Sequence, residues 1–261
     1  MNRIEDQFSK RLLNGEKLFV PYVMAGDGGL EKLGGRLALL EKFGASAIEI
    51  GIPFSDPVAD GPVIQKAGIR ALQAGTTLRG VIEKIQEVRK MISVPLVMMT
   101  YMNPILAYGI DEFVSDIEKA GVDGCIIPDL PIEEEGIISF KLEQAGVELI
   151  RLVTMATPKE RISKIAEKGR GFLYTVTVKG ITGARNELDV SLSSFLKGVK
   201  EISNKPVIAG FGVSSPEQVK ELCQDSDGVV VGSKIVDLFH ENKINEIKQL
   251  VESIVMSEVA N

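Results

Sequence analysis

A side chain that moves protons near neutral pH must be tuned by its surroundings, and this sequence offers few groups for the task. Its one histidine, His240, falls in a helical pattern close to the C-terminus, and its two cysteines, Cys125 and Cys223, sit in stretches that read as a buried strand and a helix face. Metal sites built on paired His or clustered Cys are thereby excluded, and two reduced thiols are expected rather than a disulfide framework. Proton transfer is left to carboxylates, Tyr or Lys. In Ser46-Ala47-Ile48-Glu49-Ile50-Gly51, strand alternation puts Ile48 and Ile50 on one face and Ala47, Glu49 and Gly51 on the other. With the isoleucines turned to outer helices, Glu49 points inward, where an unpaired carboxylate is costly to desolvate and its pKa rises, as a proton donor requires. A strand-end Glu satisfied by a neighbouring Lys or backbone amide fits the same pattern. Asp56 and Asp60 follow within Pro53-Phe54-Ser55-Asp56-Pro57-Val58-Ala59-Asp60-Gly61-Pro62. Asp, Pro and Gly are ordinary turn residues, so both acids also fit as caps of a helix starting near Val63.

Positioning these acids requires a scaffold, and short β-branched runs recur along the chain with helical patterns between them. Eight such runs begin near Leu18, Ser46, Val94, Val122, Val147, Gly171, Pro206 and Asp227. Amphipathic segments follow, among them Leu30 to Phe43, Leu78 to Met91, Ile110 to Ala120, Ile132 to Ala145 and Pro158 to Lys168. Repeated strand-helix units predict a parallel sheet, and eight of them predict a closed (β/α)8 TIM barrel. The rival, an open doubly wound sheet, lacks its dinucleotide fingerprint, since Ala25-Gly26-Asp27-Gly28-Gly29 does not have the G-x-G-x-x-G spacing. A helix over Arg3 to Leu13 is expected to cap the barrel floor, with extra short helices in the loops after strands 2 and 8. The connections from Gly51 to about Thr76 and from Val178 to about Val190 are the longest, and lie where barrels keep their catalytic groups.

At 261 residues and 44% hydrophobic content, the chain suits one barrel domain spanning residues 1–261. A net charge of -6 argues against nucleic acid or an anionic membrane as partner. The N-terminal stretch is polar, and no apolar run approaches the roughly 18 residues of a membrane span, so a soluble cytoplasmic protein is expected.

The string Ile48-Glu49-Ile50-Gly51-Ile52-Pro53-Phe54-Ser55-Asp56-Pro57-Val58-Ala59-Asp60-Gly61 resembles the signature segment of tryptophan synthase α subunits. The likeness extends to Pro21-Tyr22-Val23-Met24-Ala25-Gly26-Asp27, Tyr101-Met102-Asn103-Pro104 and Pro128-Asp129-Leu130-Pro131. It continues through Gly180-Ile181-Thr182-Gly183-Ala184-Arg185, Gly210-Phe211-Gly212-Val213 and Gly232-Ser233, in family order. The resemblance implies a lyase that cleaves indole-3-glycerol phosphate to indole and glyceraldehyde 3-phosphate. It makes Glu49 and Asp60 the catalytic pair, with Tyr174 beside them. The chemistry suits those roles: in this retro-aldol step indole C3 gains a proton, the adjacent hydroxyl loses one, and the ring nitrogen turns positive. Glu49 can serve the first two and Asp60 the third, without metal or organic cofactor.

The same resemblance implies substrate contacts from Tyr22, Ile64, Met99, Tyr101, Ile126, Thr182, Gly183, Phe211, Gly212, Gly232 and Ser233. Barrel core accounts equally well for Tyr22, Met99, Ile126 and Phe211. Phosphate sites in barrels use backbone N–H groups after strands 7 and 8, where Gly212, Gly232 and Ser233 lie, with Gly183 closing from the loop after strand 6. Turns needing a positive φ would explain the same glycines. The resemblance further implies docking on a pyridoxal-phosphate-dependent β subunit in an α2β2 complex, through a rim carrying Asp56, Pro57, Asn103 and Pro131. Composition alone would make these loops well-formed turns.

Two places depart from the family pattern. A Pro-Thr-Thr-like stretch is replaced by Thr154-Met155-Ala156-Thr157-Pro158, expected to lie behind the site. Lys179 stands where a small hydroxyl residue is usual, which keeps open a Schiff-base aldolase reading. A catalytically silent barrel kept as a binding subunit is the other alternative, against which the intact Glu49 and Asp60 speak.

Overall fold

The computed structural model describes residues 2–177, 185–210 and 216–255. Eight parallel strands close into a barrel in sequence order: β1 (Leu18–Met24), β2 (Ile48–Gly51), β3 (Leu96–Met99), β4 (Gly124–Ile126), β5 (Glu148–Thr154), β6 (Leu173–Val176), β7 (Val207–Gly210) and β8 (Gly228–Val231). Pairing of Leu18 with Gly228 closes the ring, and a side chain on Gly228 would sit 2.2 Å from the Leu18 carbonyl oxygen. Helix α1 (Arg3–Leu13) precedes β1, α2 (Leu33–Phe43) follows it, and β2 leads into α3 (Pro62–Gln73) and α4 (Leu78–Val88). Then come α5 (Met102–Tyr108) and α6 (Ile110–Ala120) after β3, α7 (Ser139–Gln144) after β4, α8 (Lys159–Lys168) after β5 and α9 (Arg185–Ile202) after β6. The chain continues through α10 (Pro216–Asp225) after β7, and α11 (Ser233–His240) and α12 (Ile244–Val255) after β8.

Strand alternation divides the core into two shells. Leu18, Val20, Tyr22, Ala47, Val97, Ile126, Tyr174 and Ile208 pack inside the barrel, whereas Phe19, Val23, Ile48, Ile50, Leu96 and Cys125 face the helix layer. The helices meet this layer through stripes such as Val81, Ile82, Ile85 and Val88 of α4. That helix starts where Thr77 accepts a hydrogen bond from the Gly80 N–H at 3.1 Å, while α2 and α6 stop at Gly44 and Gly121 in positive φ.

The floor is closed by α1. Its N-cap Asn2 accepts from the Ile4 N–H, and Ile4 and Phe8 are fully buried against the barrel, with the Phe8 ring 5.6 Å from that of Phe172. Each such side chain contributes roughly 1.5–3 kcal/mol of burial. Asp123 ties this helix down by accepting from Arg3 at 2.7 Å and from the Leu96 N–H at 2.9 Å, with Arg89 at 3.3 Å.

Three local readings are corrected. The helix after β2 is not short, since α3 runs for 12 residues; α11, with 8, fits the expectation. Residues 132–145 do not form one amphipathic helix. They give a 3-10 turn (Glu135–Ile137) and then the six-residue α7, because Gly136 weakens the helix and Glu135 is drawn inward to Arg151 and Lys168. Asn103-Pro104, read as a rigid loop, belongs to α5; as the third helical residue, Pro104 forfeits only an N–H that would have no partner within the helix.

Candidate active site

Strand β2 carries Glu49 into the barrel interior, beside Tyr22 of β1 and Val97 of β3 in register. Its carboxyl is 2% exposed, and Oε2 is buried without a hydrogen-bond partner. Burial, followed by the negative charge of Asp60, pushes the Glu49 pKa up to about 8. Neither satisfying group that the sequence left open, a Lys or a backbone amide, reaches Oε2 among the described residues. Two aromatic rings flank the acid, and each needs a glycine opposite. A side chain on Gly51 would lie 1.8 Å from the Tyr22 hydroxyl, and one on Gly210 would lie 2.4 Å from that of Tyr174. Burial and the nearby acids hold both phenols far above their ordinary pKa, so they stay neutral.

Asp60 arrives from the loop between β2 and α3, where the Val58 N–H donates to Asp56 O and the Asp60 N–H to Pro57 O. The helix-cap reading of Asp60 is not what the structure has. The N-cap of α3 is Gly61, with no side-chain bond, and Pro62 occupies its first turn. Partial burial raises Asp60 to about 6, and hydrogen bonding with the Tyr101 hydroxyl opposes that rise. At neutral pH the two acids therefore differ: Glu49 retains its proton, while Asp60 is mostly ionised.

Glu49 and Asp60 face one cavity of about 250 Å3 at the C-terminal end of the barrel, just below the usual range of ligand cavities. Tyr22, Ile64, Met99, Tyr174, Gly232 and Ser233 line it too, so these sequence-predicted residues do come together. Gly61, Pro62 and Val230 complete the lining and were missed. Inward alternation along β8 was the available signal for Val230, and Pro at a helix start was the signal for the other two. Tyr101 and Ile126 do not line the cavity: Tyr101 stands behind the Asp60 loop, and Ile126, 1% exposed, is barrel core. Thr182, Gly183, Phe211, Gly212 and Lys179 lie outside the described residues.

At the cavity wall Gly232 caps α11 with φ -103°, so a positive φ is not its reason. A side chain there would meet Tyr22 and Ile64 only at ordinary contact distances of 3.6 Å and 3.8 Å. Gly232 and Ser233 line the cavity at the start of α11, whose first N–H groups have no side-chain cap.

On the other side of Asp60 a cleft of about 780 Å3 opens toward the rim, bordered by Pro128, Asp129, Pro131, Arg151 and Thr154. Asp56, Asn103 and Pro131 are exposed on that rim and Pro57 is half-buried, with Val58 (83%) and Leu106 (51%) as apolar neighbours. Among the described residues no cluster of His, Cys, Asp or Glu could hold a metal ion, and no helix is long and apolar enough to cross a membrane.

A family model described as tryptophan synthase alpha chain matches residues 8–261. The tryptophan synthase alpha chain of Bacillus mycoides (strain KBAB4) is 51% identical over 247 residues, covering 95% of this chain and 96% of that one. Among solved structures, the tryptophan synthase alpha chain of Legionella pneumophila superposes with a TM-score of 0.87 at 32% identity, covering 100% of this chain and 99% of that one. A chain of tryptophan synthase from M. tuberculosis, in its aminoacrylate-bound form, superposes with a TM-score of 0.85 at 29% identity over 98% of each.

Proposed function

From the premise that this chain belongs to the tryptophan synthase alpha chain family, we propose that Glu49 and Asp60 carry the family's reaction here. The enzyme is a lyase that cleaves indole-3-glycerol phosphate to indole and glyceraldehyde 3-phosphate and works with a beta subunit. In the proposed roles, protonated Glu49 delivers its proton to indole C3, which leaves the ring nitrogen positive. The carboxylate left behind takes the proton of the neighbouring hydroxyl, which becomes the aldehyde as the bond from C3 to the glycerol phosphate breaks; the electron pair of that bond returns to the ring and neutralises the nitrogen, and Glu49 ends as it began. Ionised Asp60 stabilises the ring nitrogen while it is positive. Tyr22, Ile64, Met99 and Tyr174 enclose the indole. The phosphate rests at the N-terminus of α11 against Gly232 and Ser233, joined by Thr182, Gly183, Phe211 and Gly212 as the resemblance implies. No step calls on a metal or organic cofactor in this chain; pyridoxal phosphate belongs to the beta subunit.

The observation that carries the reading is one cavity in which a buried, unpartnered Glu49 oxygen faces the same space as a half-buried Asp60. Indole release measured on the purified chain tests it. Glu49→Gln and Asp60→Asn should each lose at least about 100-fold in turnover, the scale of one acid-base or electrostatic group. Near-normal turnover in either variant removes that residue from its role. Absence of release from the wild type, alone and with a beta subunit, would instead mark a silent barrel.

The rim of exposed Asp56, Asn103 and Pro131 with half-buried Pro57 is the proposed docking surface for the beta subunit in an α2β2 assembly in the cytoplasm. Its apolar additions, Val58 and Leu106, suit burial by a partner. Substituting Asp56 or Pro57 should weaken stimulation of indole release by the beta subunit. Normal stimulation would place the contact elsewhere.

A further inference from the structure

The Asp60 loop reaches the rim through one residue outside the cavity. Tyr101, 2% exposed, is the N-cap of α5, and its hydroxyl accepts a hydrogen bond from the Ala59 N–H at 3.1 Å. Its ring packs 5.3 Å from that of Phe54, so it grips the loop near both ends. Tyr101 makes no side-chain cap bond for its own helix. The cap comes from the next rim loop instead: the Met102 N–H donates to Asp129, 2.9 Å from Oδ1 and 3.2 Å from Oδ2. An anion here satisfies a helix N–H and complements the helix dipole, which fixes the start of α5 and therefore the direction of the Tyr101 ring.

We propose that Asp129 is a positioning residue for the Asp60 loop, acting through the first turn of α5 and the Tyr101 hydroxyl. The inference rests on the role given to Asp60 above. It assigns Tyr101 to loop placement rather than to substrate contact, consistent with its absence from the cavity wall. A reacting group displaced by a fraction of an ångström loses rate while ground-state binding is retained, because the lost interaction is strongest in the transition state.

The test is steady-state indole release by the full chain carrying Tyr101→Phe, Asp129→Ala, Asp129→Asn or the Tyr101→Phe/Asp129→Ala pair, with Asp60→Asn as reference. Tyr101→Phe and Asp129→Ala should each lower kcat about tenfold and move KM less than about twofold. The double variant should be little worse than either single one, since both cut the same path. Asp129→Asn, which keeps an acceptor for the Met102 N–H, should recover most of the rate. Unchanged kcat in Asp129→Ala, multiplicative losses in the double variant, or a rise in KM alone would each overturn the positioning role. If Asp60→Asn itself stays active, the catalytic reading falls first, and the two failures are told apart. Asp129 is exposed, so its variants should fold, and urea midpoints close to wild type would exclude general damage.

Discussion

Replacing Glu49 with Gln should make the protein more stable in a way that grows with pH, while removing its activity. In the folded chain this carboxyl keeps its proton up to about pH 8, whereas an unperturbed Glu releases it near 4.5. Between these values the folded state binds more protons than the unfolded one, so stability declines as pH rises. The decline starts near the lower value and is complete above the upper one. A separation of this size corresponds to about 5 kcal/mol in full, of which about 2–3 kcal/mol falls between pH 5 and pH 7. Gln occupies the same volume and does not titrate. Any offset from its amide is constant with pH, so the gap between variant and wild type should widen by about 2–3 kcal/mol over that interval. Asp60 titrates in both proteins and cancels from the difference. Urea unfolding at pH 5, 6, 7 and 8, analysed with a common slope, reads the gap directly. Parallel stability curves for the two proteins would show that Glu49 is not held protonated by the barrel, and the proton-donor argument would lose its basis.

Three further outcomes follow from the same geometry. Since the working form needs Glu49 protonated and Asp60 ionised, kcat/KM for indole-3-glycerol phosphate should be bell-shaped, with limbs near the values of about 6 and about 8 held by the two acids; a flat profile across this range contradicts the assignment. Gly51→Ala should drive the Tyr22 hydroxyl from its place, cost about 1–3 kcal/mol in thermal or urea unfolding and depress kcat, whereas a fully active, stable variant would mean the close approach is not required. Asp123→Ala should lose about 3 kcal/mol of stability, because Arg89 and the Leu96 N–H lose a buried acceptor, yet leave KM unchanged at the far end of the barrel; an unaltered urea midpoint would refute it.

The inward direction of Glu49 was legible because a strand has period two, and the isoleucines on either side leave one orientation that suits outer helices. Its lack of a partner was not, since pairing depends on groups brought in from other strands. Asp60 shows the limit more sharply. Its neighbours Pro57, Gly61 and Pro62 have the composition of an ordinary turn into a helix, and local chemistry could not separate a cap from an acid turned to the cavity; the tertiary placement does so, with Gly61 as the cap and Asp60 on the cavity wall. Helix α5 was hidden by Pro104, whose usual meaning of a break reverses in the first turn. The role of Tyr101 was out of reach because its partners, Ala59 and, through Met102, Asp129, come from loops that only barrel closure makes adjacent.

The two acids also differ in what holds them, and this bears on regulation. Glu49 belongs to a strand bonded on both sides, by β1 and β3, so its own position changes only if the barrel changes, and the Asp60 charge is the part of its surroundings that the loop can alter. Asp60 belongs to a loop held by Tyr101, and that loop meets the rim where Asp56 and Val58 stand exposed on either side of the half-buried Pro57. A beta subunit that covers this rim can dehydrate or re-aim the loop without disturbing β2. Dehydration raises a carboxyl pKa, and a tighter grip by hydrogen-bond donors lowers it, so either effect moves the limb belonging to Asp60. The pH profile of indole release, measured with and without the beta subunit, should therefore shift mainly on its acid limb, while the basic limb near 8, which is set first by burial in the barrel and feels the loop only through the Asp60 charge, moves less. Movement of the basic limb alone, or equal movement of both, would mean that the partner acts through the barrel itself rather than through the Asp60 loop.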